Sequence, residues 1–311
     1  MISFKNYLQS RGNSKSTVEN YNGYILDFIS YLDRDNTEPE QASAKEVMAY
    51  QNVLTKRGYE NKTRNTRLTV IKHFFNYQIE IGQRLENPVQ HLKIKGGKKQ
   101  KLYPILEKHE LERIYHNYEV PSEEDEQAKR NWFKAVRLGK ARNKVIIGLM
   151  IYQGLTTAEV NKMQLNDLKL KEGQLLIRGG RKSNERLLEL KAHQIMGLME
   201  YVNKIRAELL SYSEEPTDYL FISSPPIGKK YKRGKTVLHI WKRFSQEIRE
   251  INSDFINFKQ VRTSVITHWL KEYNLRKVQY MAGHRYVSST EAYLVNQTED
   301  LQKEIDAFHP F

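Results

Sequence analysis

The stretch Ile94-Lys-Gly-Gly-Lys-Lys-Gln-Lys101 divides the chain into two parts with different sequence patterns. It places a pair of glycines among lysines, a composition that cannot pack into a hydrophobic core and that favours a flexible linker. Asn87-Pro88 stands just before it and predicts the end of the preceding helix. We therefore expect three segments and a tail: a first domain of residues 1–93, a basic linker of residues 94–102, a second domain of residues 103–311, and within it a C-terminal tail of residues 296–311.

The part before the linker has the 3.6-residue period of amphipathic helices. Apolar side chains recur at three- and four-residue steps from Val18 to Leu32, behind the capping-box pattern Ser16-Thr-Val-Glu19. Residues 43–54 and 61–81 predict two further helices, the second with its basic side chains turned away from the apolar face. This part is therefore expected to be a small helical bundle.

The part after the linker mixes helical and strand patterns. Residues 107–118 and 142–152 predict helices, and helical periodicity returns after residue 195. Short strands at 174–177 and 186–190 flank a polar segment with two glycines, which predicts a β-hairpin. The predicted fold class is mainly α with a small β-sheet or hairpin, in which an N-terminal helical bundle precedes a mixed α+β domain.

The charge balance of the chain indicates a polyanionic partner. Lys and Arg total 51 against 37 Asp and Glu, so the net charge at pH 7 is +14, and the excess lies on both sides of the linker. The absence of cysteine excludes disulfides and thiolate chemistry. No apolar run approaches the roughly 20 residues of a membrane-spanning helix. We expect a soluble intracellular protein whose two basic parts grip a nucleic acid from more than one side.

The ionisable residues form none of the common catalytic motifs. The sequence contains no H-E-x-x-H metal site, no G-x-S-x-G, no phosphate-binding glycine loop with its lysine, and no carboxylate cluster of the two-metal type. We therefore expect neither a metal nor a cofactor. Basic residues and tyrosines remain, and these groups suit the stabilisation of a pentavalent phosphate while an oxygen nucleophile attacks it.

Three segments of the second part carry a family resemblance. Met281-Ala-Gly-His284-Arg-Tyr-Val-Ser-Ser-Thr290-Glu-Ala-Tyr293 resembles the L-G-H and T-x-x-Y segment of the tyrosine recombinase, or phage integrase, family. Phe258-Lys-Gln-Val-Arg262-Thr-Ser-Val-Ile-Thr-His268 is similar to its H-x-x-R-H-T-F-A-T-H helix, and Gly154-Leu-Thr156-Thr-Ala-Glu159 to its T-G-L-R-x-S-E-L turn. Since the helix before the linker also resembles the end of the family's DNA-clamping domain, the resemblance covers nearly the whole chain.

The resemblance implies a DNA strand transferase that clamps double-stranded DNA and needs neither metal nor ATP. It also implies a cytoplasmic, nucleoid-associated protein of a bacterium, an archaeon or a phage. It makes Tyr293 the nucleophile that forms a 3′-phosphotyrosyl bond, with Arg262, His284 and Lys259 as phosphate-binding groups. Lys182, on the hairpin, is the expected acid for the departing 5′ oxygen. A tyrosine hydroxyl has an ordinary pKa of about 10, so the nucleophile needs nearby cations. The residues expected to bind DNA are Arg64, Arg67, Lys95, Lys98, Lys99, Lys101, Arg178 and Arg181.

Two positions depart from the family pattern. Lys259 stands where a histidine is expected, and Thr156 stands where the first catalytic arginine is expected. By analogy with other phosphoryl-transfer enzymes, loss of such an arginine lowers the rate by about 10³ to 10⁵ unless another cation replaces it. Arg178, Arg181 and Lys259 are the candidates for that cation.

The possible functions differ in catalysis and in assembly. A site-specific recombinase requires four copies on paired DNA sites, so the resemblance implies a tetramer that is monomeric without DNA and whose tail packs into a neighbouring copy. The alternatives are a catalytically weak DNA-binding regulator with the same clamp and a type IB topoisomerase, which shares the chemistry but acts alone.

Overall fold

The structure, a computed structural model, describes residues 3–94, 103–122, 124–125, 131–181, 183–223, 231–233 and 236–294. The chain divides into two compact units, Met1–Lys101 and Leu102–Phe311, and each has its own hydrophobic core. Several residues singled out from the sequence lie outside the described residues: Lys95, Lys98, Lys99, Lys101, Lys182 and the tail of residues 296–311.

The first unit contains the helices α1 (Phe4–Ser10), α2 (Lys15–Arg34), α3 (Ala44–Lys56) and α4 (Asn61–Glu80). Helix α2 begins earlier than predicted, because Ser14 rather than Ser16 is its cap and accepts a hydrogen bond from the backbone N–H of Thr17. Apolar residues of all four helices form the core, and α4 contributes a stripe of large side chains that includes Phe75.

Arg67 on α4, predicted to bind DNA, is buried, whereas the helical pattern turned its side chain away from the apolar face. Its side chain is 9% exposed, pairs with Asp27 and donates to the Tyr50 hydroxyl at 2.7 Å. Its guanidinium carbon also lies 4.8 Å from the ring centres of both Tyr24 and Tyr59. These groups pair with and cover the guanidinium, so Arg67 connects α4 to residues of α2 and α3 within the bundle.

The elements of the second unit run in this chain order: α5 (Lys108–Asn117), α6 (Asn131–Tyr152), α7 (Thr157–Lys162), β1 (Leu168–Lys169), β2 (Gln174–Ile177), β3 (Arg186–Glu189), α8 (Ala192–Glu200), α9 (Ala207–Leu210), β4 (Ser213–Glu215), β5 (Tyr231–Arg233), α10 (Trp241–Ile251), α11 (Phe258–Glu272), α12 (Leu275–Ala282) and α13 (Ser288–Glu291). Strands β1, β2 and β3 form an antiparallel sheet in that order, while β4 and β5 pair in parallel. A π-helical turn joins α8 to α9.

Helix α11 lies at the centre of the second unit. Every residue from Gln260 to Trp269 is buried, although several of them are polar. Ser264 accepts a hydrogen bond from the backbone N–H of Leu106 at 2.9 Å, and a ring nitrogen of His268 lies 2.8 Å from the Leu106 carbonyl oxygen. These bonds tie α11 to the segment before α5, so that side chains on its remaining surface are held rigidly.

The predicted hairpin is confirmed as β2 and β3, with Leu175 opposite Leu188. Helix α6 begins at Asn131 rather than at Arg142, because its first turns carry polar residues that the apolar pattern does not include. None of the described helices combines the length and the apolar character that crossing a membrane requires.

Candidate active site

A cavity of about 400 Å³ lies in the second unit where α7, the β2–β3 hairpin, α11 and the turn after α12 meet. Polar and charged residues from distant parts of the chain line it, including Thr156, Glu159, Arg178, Arg262 and His284. The cavity is therefore a place where groups far apart in sequence act on one ligand.

Arg262 is held rigidly at the base of this cavity. One guanidinium nitrogen donates to the carbonyl of Gly154, and the other donates to the carbonyl of Ala282 at 2.6 Å. The second nitrogen also lies 3.4 Å from Nε2 of His284, and the first lies 3.7 Å from Oε2 of Glu159. Burial lowers the pKa of Arg262, and the Glu159 carboxylate opposes that shift.

His284 and Tyr293 stack beside Arg262, with ring centres 5.6 Å apart and planes 16° apart. Nδ1 of His284 lies 2.9 Å from the Thr290 hydroxyl. A guanidinium can only donate, so Nε2 accepts from Arg262 and Nδ1 carries the proton toward Thr290. Burial, together with the nearby arginines, lowers the pKa of His284 to about 4. His284 is therefore neutral at pH 7.

Tyr293 follows the short helix α13 and is partly buried. Its backbone N–H donates to the Thr290 carbonyl at 3.0 Å, which fixes the residue next to the histidine. Interaction with Tyr293 raises the pKa of Arg262 and so opposes the effect of burial. The structure thus brings Arg262, His284 and Tyr293 into one connected group.

The tip of the β2–β3 hairpin is joined to the turn that carries His284. Ser183 forms a β-bridge with His284, and the backbone N–H of Asn184 donates to the carbonyl of Gly283 at 2.9 Å. These backbone contacts hold the residues that follow Lys182 against the cavity, although Lys182 itself lies outside the described residues.

Thr156 is the N-cap of α7. Its hydroxyl donates to Oε2 of Glu159 at 2.8 Å and accepts from the Glu159 backbone N–H at 3.2 Å, and its own N–H donates to the same carboxylate oxygen at 2.8 Å. This reciprocal capping box explains the local role of a threonine here. It supplies no positive charge to the cavity.

Arg186, at the start of β3, is a charged residue that the sequence analysis missed. Its side chain is 0% exposed, and Nη1 donates to Oε1 of Glu159 at 2.7 Å. Burial by itself raises the pKa of Glu159, but Arg186 and Arg262 outweigh burial and leave this pKa below its ordinary value. The burial of Arg186 could have been predicted from the alternating pattern of the strand, which places this residue on the same inward face as Leu188.

Comparison with known proteins decides the family. Residues 104–300 match the model of the phage integrase family, and residues 1–82 match that of the phage integrase N-terminal SAM-like domain. The chain belongs to the phage integrase family. The expected mostly helical fold with a small antiparallel sheet is that of this family's members, the tyrosine recombinases.

Curated relatives match this integrase-family chain over almost its full length. The tyrosine recombinase XerC of Bacillus subtilis is 25% identical over 312 residues, which cover 99% of this chain and 95% of the relative. The tyrosine recombinase XerA of Pyrococcus furiosus is 22% identical over 306 residues, which cover 97% and 91%.

Solved structures show the same fold at low sequence identity. One is the XerH site-specific recombinase bound to a palindromic difH substrate in a post-cleavage complex, with a TM-score of 0.66 and 19% identity over 98% of this chain and 83% of that chain. Another is the Tn1549 transposon integrase in complex with circular intermediate DNA, with a TM-score of 0.63 and 12% identity over 94% and 95%.

Lys259 does not join the group around Arg262. It is exposed, it is not among the residues that line the cavity, and its ammonium lies 5.7 Å from the ring centre of Tyr103. Arg178 does line the cavity, but its Nε donates to the buried Asp167 at 2.6 Å. Arg178 thus already has an ion-pair partner at the cavity, and Lys259 lies outside the cavity lining.

The other described residues expected to contact DNA, Arg181 and Arg64, are not among the residues that line the cavity. Arg181 is exposed on the hairpin, and its carbonyl accepts a hydrogen bond from Arg285 at 3.1 Å. Arg64 belongs to the first unit, is partly buried and donates to the side chain of Asn61 at 3.0 Å. The described parts of the chain contain no group of three or more His, Cys, Asp or Glu placed to hold a metal ion.

Proposed function

We propose that the chain is a site-specific DNA recombinase that cuts and rejoins DNA through a 3′-phosphotyrosyl bond at Tyr293. The observation that carries the proposal is the stacking of Tyr293 on His284, whose Nε2 lies 3.4 Å from Arg262 at the cavity. A tyrosine beside a buried arginine and a neutral histidine combines an oxygen nucleophile with donors for a phosphate.

In the proposed reaction the planar guanidinium of Arg262 binds nonbridging oxygens of the scissile phosphate. The phenolic oxygen of Tyr293 forms a bond to phosphorus while the bond from phosphorus to the 5′ oxygen breaks. The phenol releases its proton to solvent water, and the 5′ oxygen gains a proton from Lys182, the proposed donor. The phosphotyrosine conserves the energy of the phosphodiester, so a 5′-hydroxyl from a partner strand can reverse the step.

His284 orients the nucleophile in this reaction. Its ring stacks on Tyr293, while its two nitrogens face Thr290 and Arg262. Because both nitrogens have defined neighbours, rotation of the ring is restricted, and the tyrosine against it is held close to the guanidinium. This preorganisation lowers the entropy cost of bringing the phenol to the phosphate.

Both units are proposed to bind duplex DNA, and the bound DNA is that of the nucleoid. Arg64, Arg178 and Arg181 contact phosphates, as do the linker lysines Lys95, Lys98, Lys99 and Lys101. Phosphate contacts release counterions, so binding weakens as salt rises and depends little on sequence. Strand exchange requires a tetramer on paired sites, in which the tail of residues 296–311 joins neighbouring copies.

The proposed nucleophile is tested with a library of randomised DNA duplexes. Wild-type protein is incubated with the library, DNA that stays attached to protein in SDS is recovered and sequenced, and the linked peptide is identified by mass spectrometry. We expect an enriched site and a phosphotyrosyl peptide that contains Tyr293. Tyr293→Phe should bind the enriched duplex but form no SDS-resistant complex.

Tyr280→Phe and Tyr286→Phe are the matched controls and should still form the complex. An adduct on another tyrosine, or one formed by Tyr293→Phe, contradicts the assignment. Specific binding without any adduct is the result expected of a regulator. Relaxation of supercoiled plasmids by single copies, without exchange between two sites, identifies a topoisomerase.

A further inference from the structure

We propose that Arg186 is a positioning residue that balances the charge of Glu159 and thereby leaves Arg262 available to the scissile phosphate. It acts from β3 and supplies the site with the second cation that Thr156 does not provide. This inference rests on the proposed function, because it assigns a role within the same reaction.

The contacts of Glu159 are divided between two arginines. Its Oε1 accepts from Arg186 at 2.7 Å, while its Oε2 lies 3.7 Å from Arg262. The shorter, charge-assisted bond belongs to Arg186. Oε2 is also occupied by the hydroxyl and the backbone N–H of Thr156, each at 2.8 Å. Both carboxylate oxygens thus accept hydrogen bonds from groups other than Arg262, which remains at ion-pair distance from Oε2.

The charge balance of the cavity depends on this arrangement. Glu159 is buried and charged, and an unpaired carboxylate here attracts Arg262 and repels the phosphate of DNA. With Arg186 present, two guanidinium groups face one carboxylate, and the site has a net positive charge. Without Arg186, Arg262 alone faces the Glu159 carboxylate, and the charges of these two groups cancel.

Arg186 acts through Glu159 rather than by touching the DNA. Its side chain is completely buried and is not among those that line the cavity. Gly283 makes room for it, since any larger residue there overlaps the guanidinium. Among the described residues, Nε and Nη2 of Arg186 have no hydrogen-bond partner. A buried cation with two unpaired donors lowers the stability of the fold. Its positive charge balances the Glu159 carboxylate in the site.

The first test measures single-turnover cleavage of a nicked duplex that carries the site selected from the library. Arg186→Met should slow cleavage by about 100-fold or more, because Arg262 then pairs with Glu159 and the phosphate loses one preorganised donor, a loss that has this effect in other enzymes. Arg186→Lys keeps the charge and should recover most of the rate. In the Arg186→Met background, Glu159→Gln should restore at least about 10-fold, because a neutral amide no longer competes for Arg262.

The double variant Arg186→Gln/Glu159→Gln also covers the case in which Arg186→Met does not fold. It replaces the ion pair by two amides of similar shape, and we expect it to fold and to cleave. A cleavage rate in Arg186→Met within about threefold of wild type overturns the proposal. So does a folded double variant that cannot cleave, because Arg186 then has a role that neutralising Glu159 does not replace.

A second measurement does not depend on cleavage. The NMR titration midpoint of His284 in the DNA-free protein reports the charge around Arg262, and Arg186→Met should raise it from about 4 toward its ordinary value. The matched control is Arg206→Met, which removes a buried arginine that bonds the carbonyls of Thr217 and Tyr219 and should leave the midpoint unchanged.

The two measurements separate failure of this inference from failure of the proposed function. If the wild-type protein forms no covalent complex, the proposed function fails, and the titration still tests the coupling of Arg186 to the site. An unchanged His284 midpoint in folded Arg186→Met overturns the role of Arg186 even where wild-type cleavage is observed.

Discussion

The guanidinium of Arg186 fills the volume that a side chain at Gly283 would occupy. A Cβ atom at residue 283 would lie 2.9 Å from Cζ of Arg186. Gly283 also has a φ of +69°, a conformation that other residues adopt only at a cost. Gly283→Ala should therefore lower the free energy of unfolding by about 3 kcal/mol through backbone strain and overlap together. Urea unfolding of the full chain measures the loss.

Gly173→Ala is the matched control in the same unit. Gly173 has a φ of +65°, but its added Cβ would meet only the end of the Ile195 side chain, at 3.3 Å. We expect a loss of about 1 kcal/mol from the backbone alone. Equal losses at both glycines would contradict the close approach of Arg186 to Gly283.

The His284 side chain should be unprotonated at neutral pH. Its pKa is lowered to about 4 by burial, with the arginines adding to the effect, so the midpoint of its NMR titration should lie far below the ordinary value of about 6.5. A midpoint near 6.5 in the DNA-free protein would contradict the burial of this ring against Arg262.

The same shift makes the stability of the fold depend on pH. Between pH 6.5 and 4 the unfolded chain binds a proton at His284 that the folded chain does not, so the free energy of unfolding falls as the solution is acidified. His284→Gln should flatten this slope when urea unfolding is measured from pH 6.5 to 5. That window lies above the titration of Glu159, whose pKa is below its ordinary value.

Thr156 should behave as a helix cap. Thr156→Ser keeps the hydroxyl and should leave stability almost unchanged, while Thr156→Val should lower the free energy of unfolding by about 1 kcal/mol. Thr156→Arg also removes the cap, and we expect no gain in cleavage from it because Arg186 already balances Glu159. A rise in single-turnover cleavage of about tenfold or more in Thr156→Arg would show that the site lacks a cation.

Arg67 should matter for the stability of the first unit rather than for DNA contact. Arg67→Met leaves Asp27 and Tyr50 without their partner and should lower the free energy of unfolding by about 1–3 kcal/mol. The exposed Lys62 on the same helix is the control, and Lys62→Ala should leave stability unchanged within about 0.5 kcal/mol. A folded Arg67→Met protein should keep the wild-type slope of the logarithm of the DNA-binding constant against the logarithm of the salt concentration. A reduced slope would show that Arg67 does contact a phosphate.

The elements of secondary structure were largely predictable because their signals are local. The helix predicted over residues 61–81 is observed as Asn61–Glu80, and the strands at 174–177 and 186–190 as Gln174–Ile177 and Arg186–Glu189. An apolar stripe or an alternating pattern indicates which face of an element is buried, and it can be identified from residues that are close together in the sequence. The ends of α2 and α6 were missed because polar residues that cap or begin a helix leave little trace in such a pattern.

By itself, the sequence determined the two-part organisation, the basic character and the motifs of the integrase family, including the spacing from His284 to Tyr293. Only the tertiary structure decided which charges meet. It buried Arg67 against Asp27, left Lys259 exposed, and placed Arg186 beside Glu159, which stands 27 residues away in the chain. The physical reason is that the stability of a buried charge depends on the partner that tertiary packing places beside it. A local sequence pattern does not identify a partner on another helix or strand.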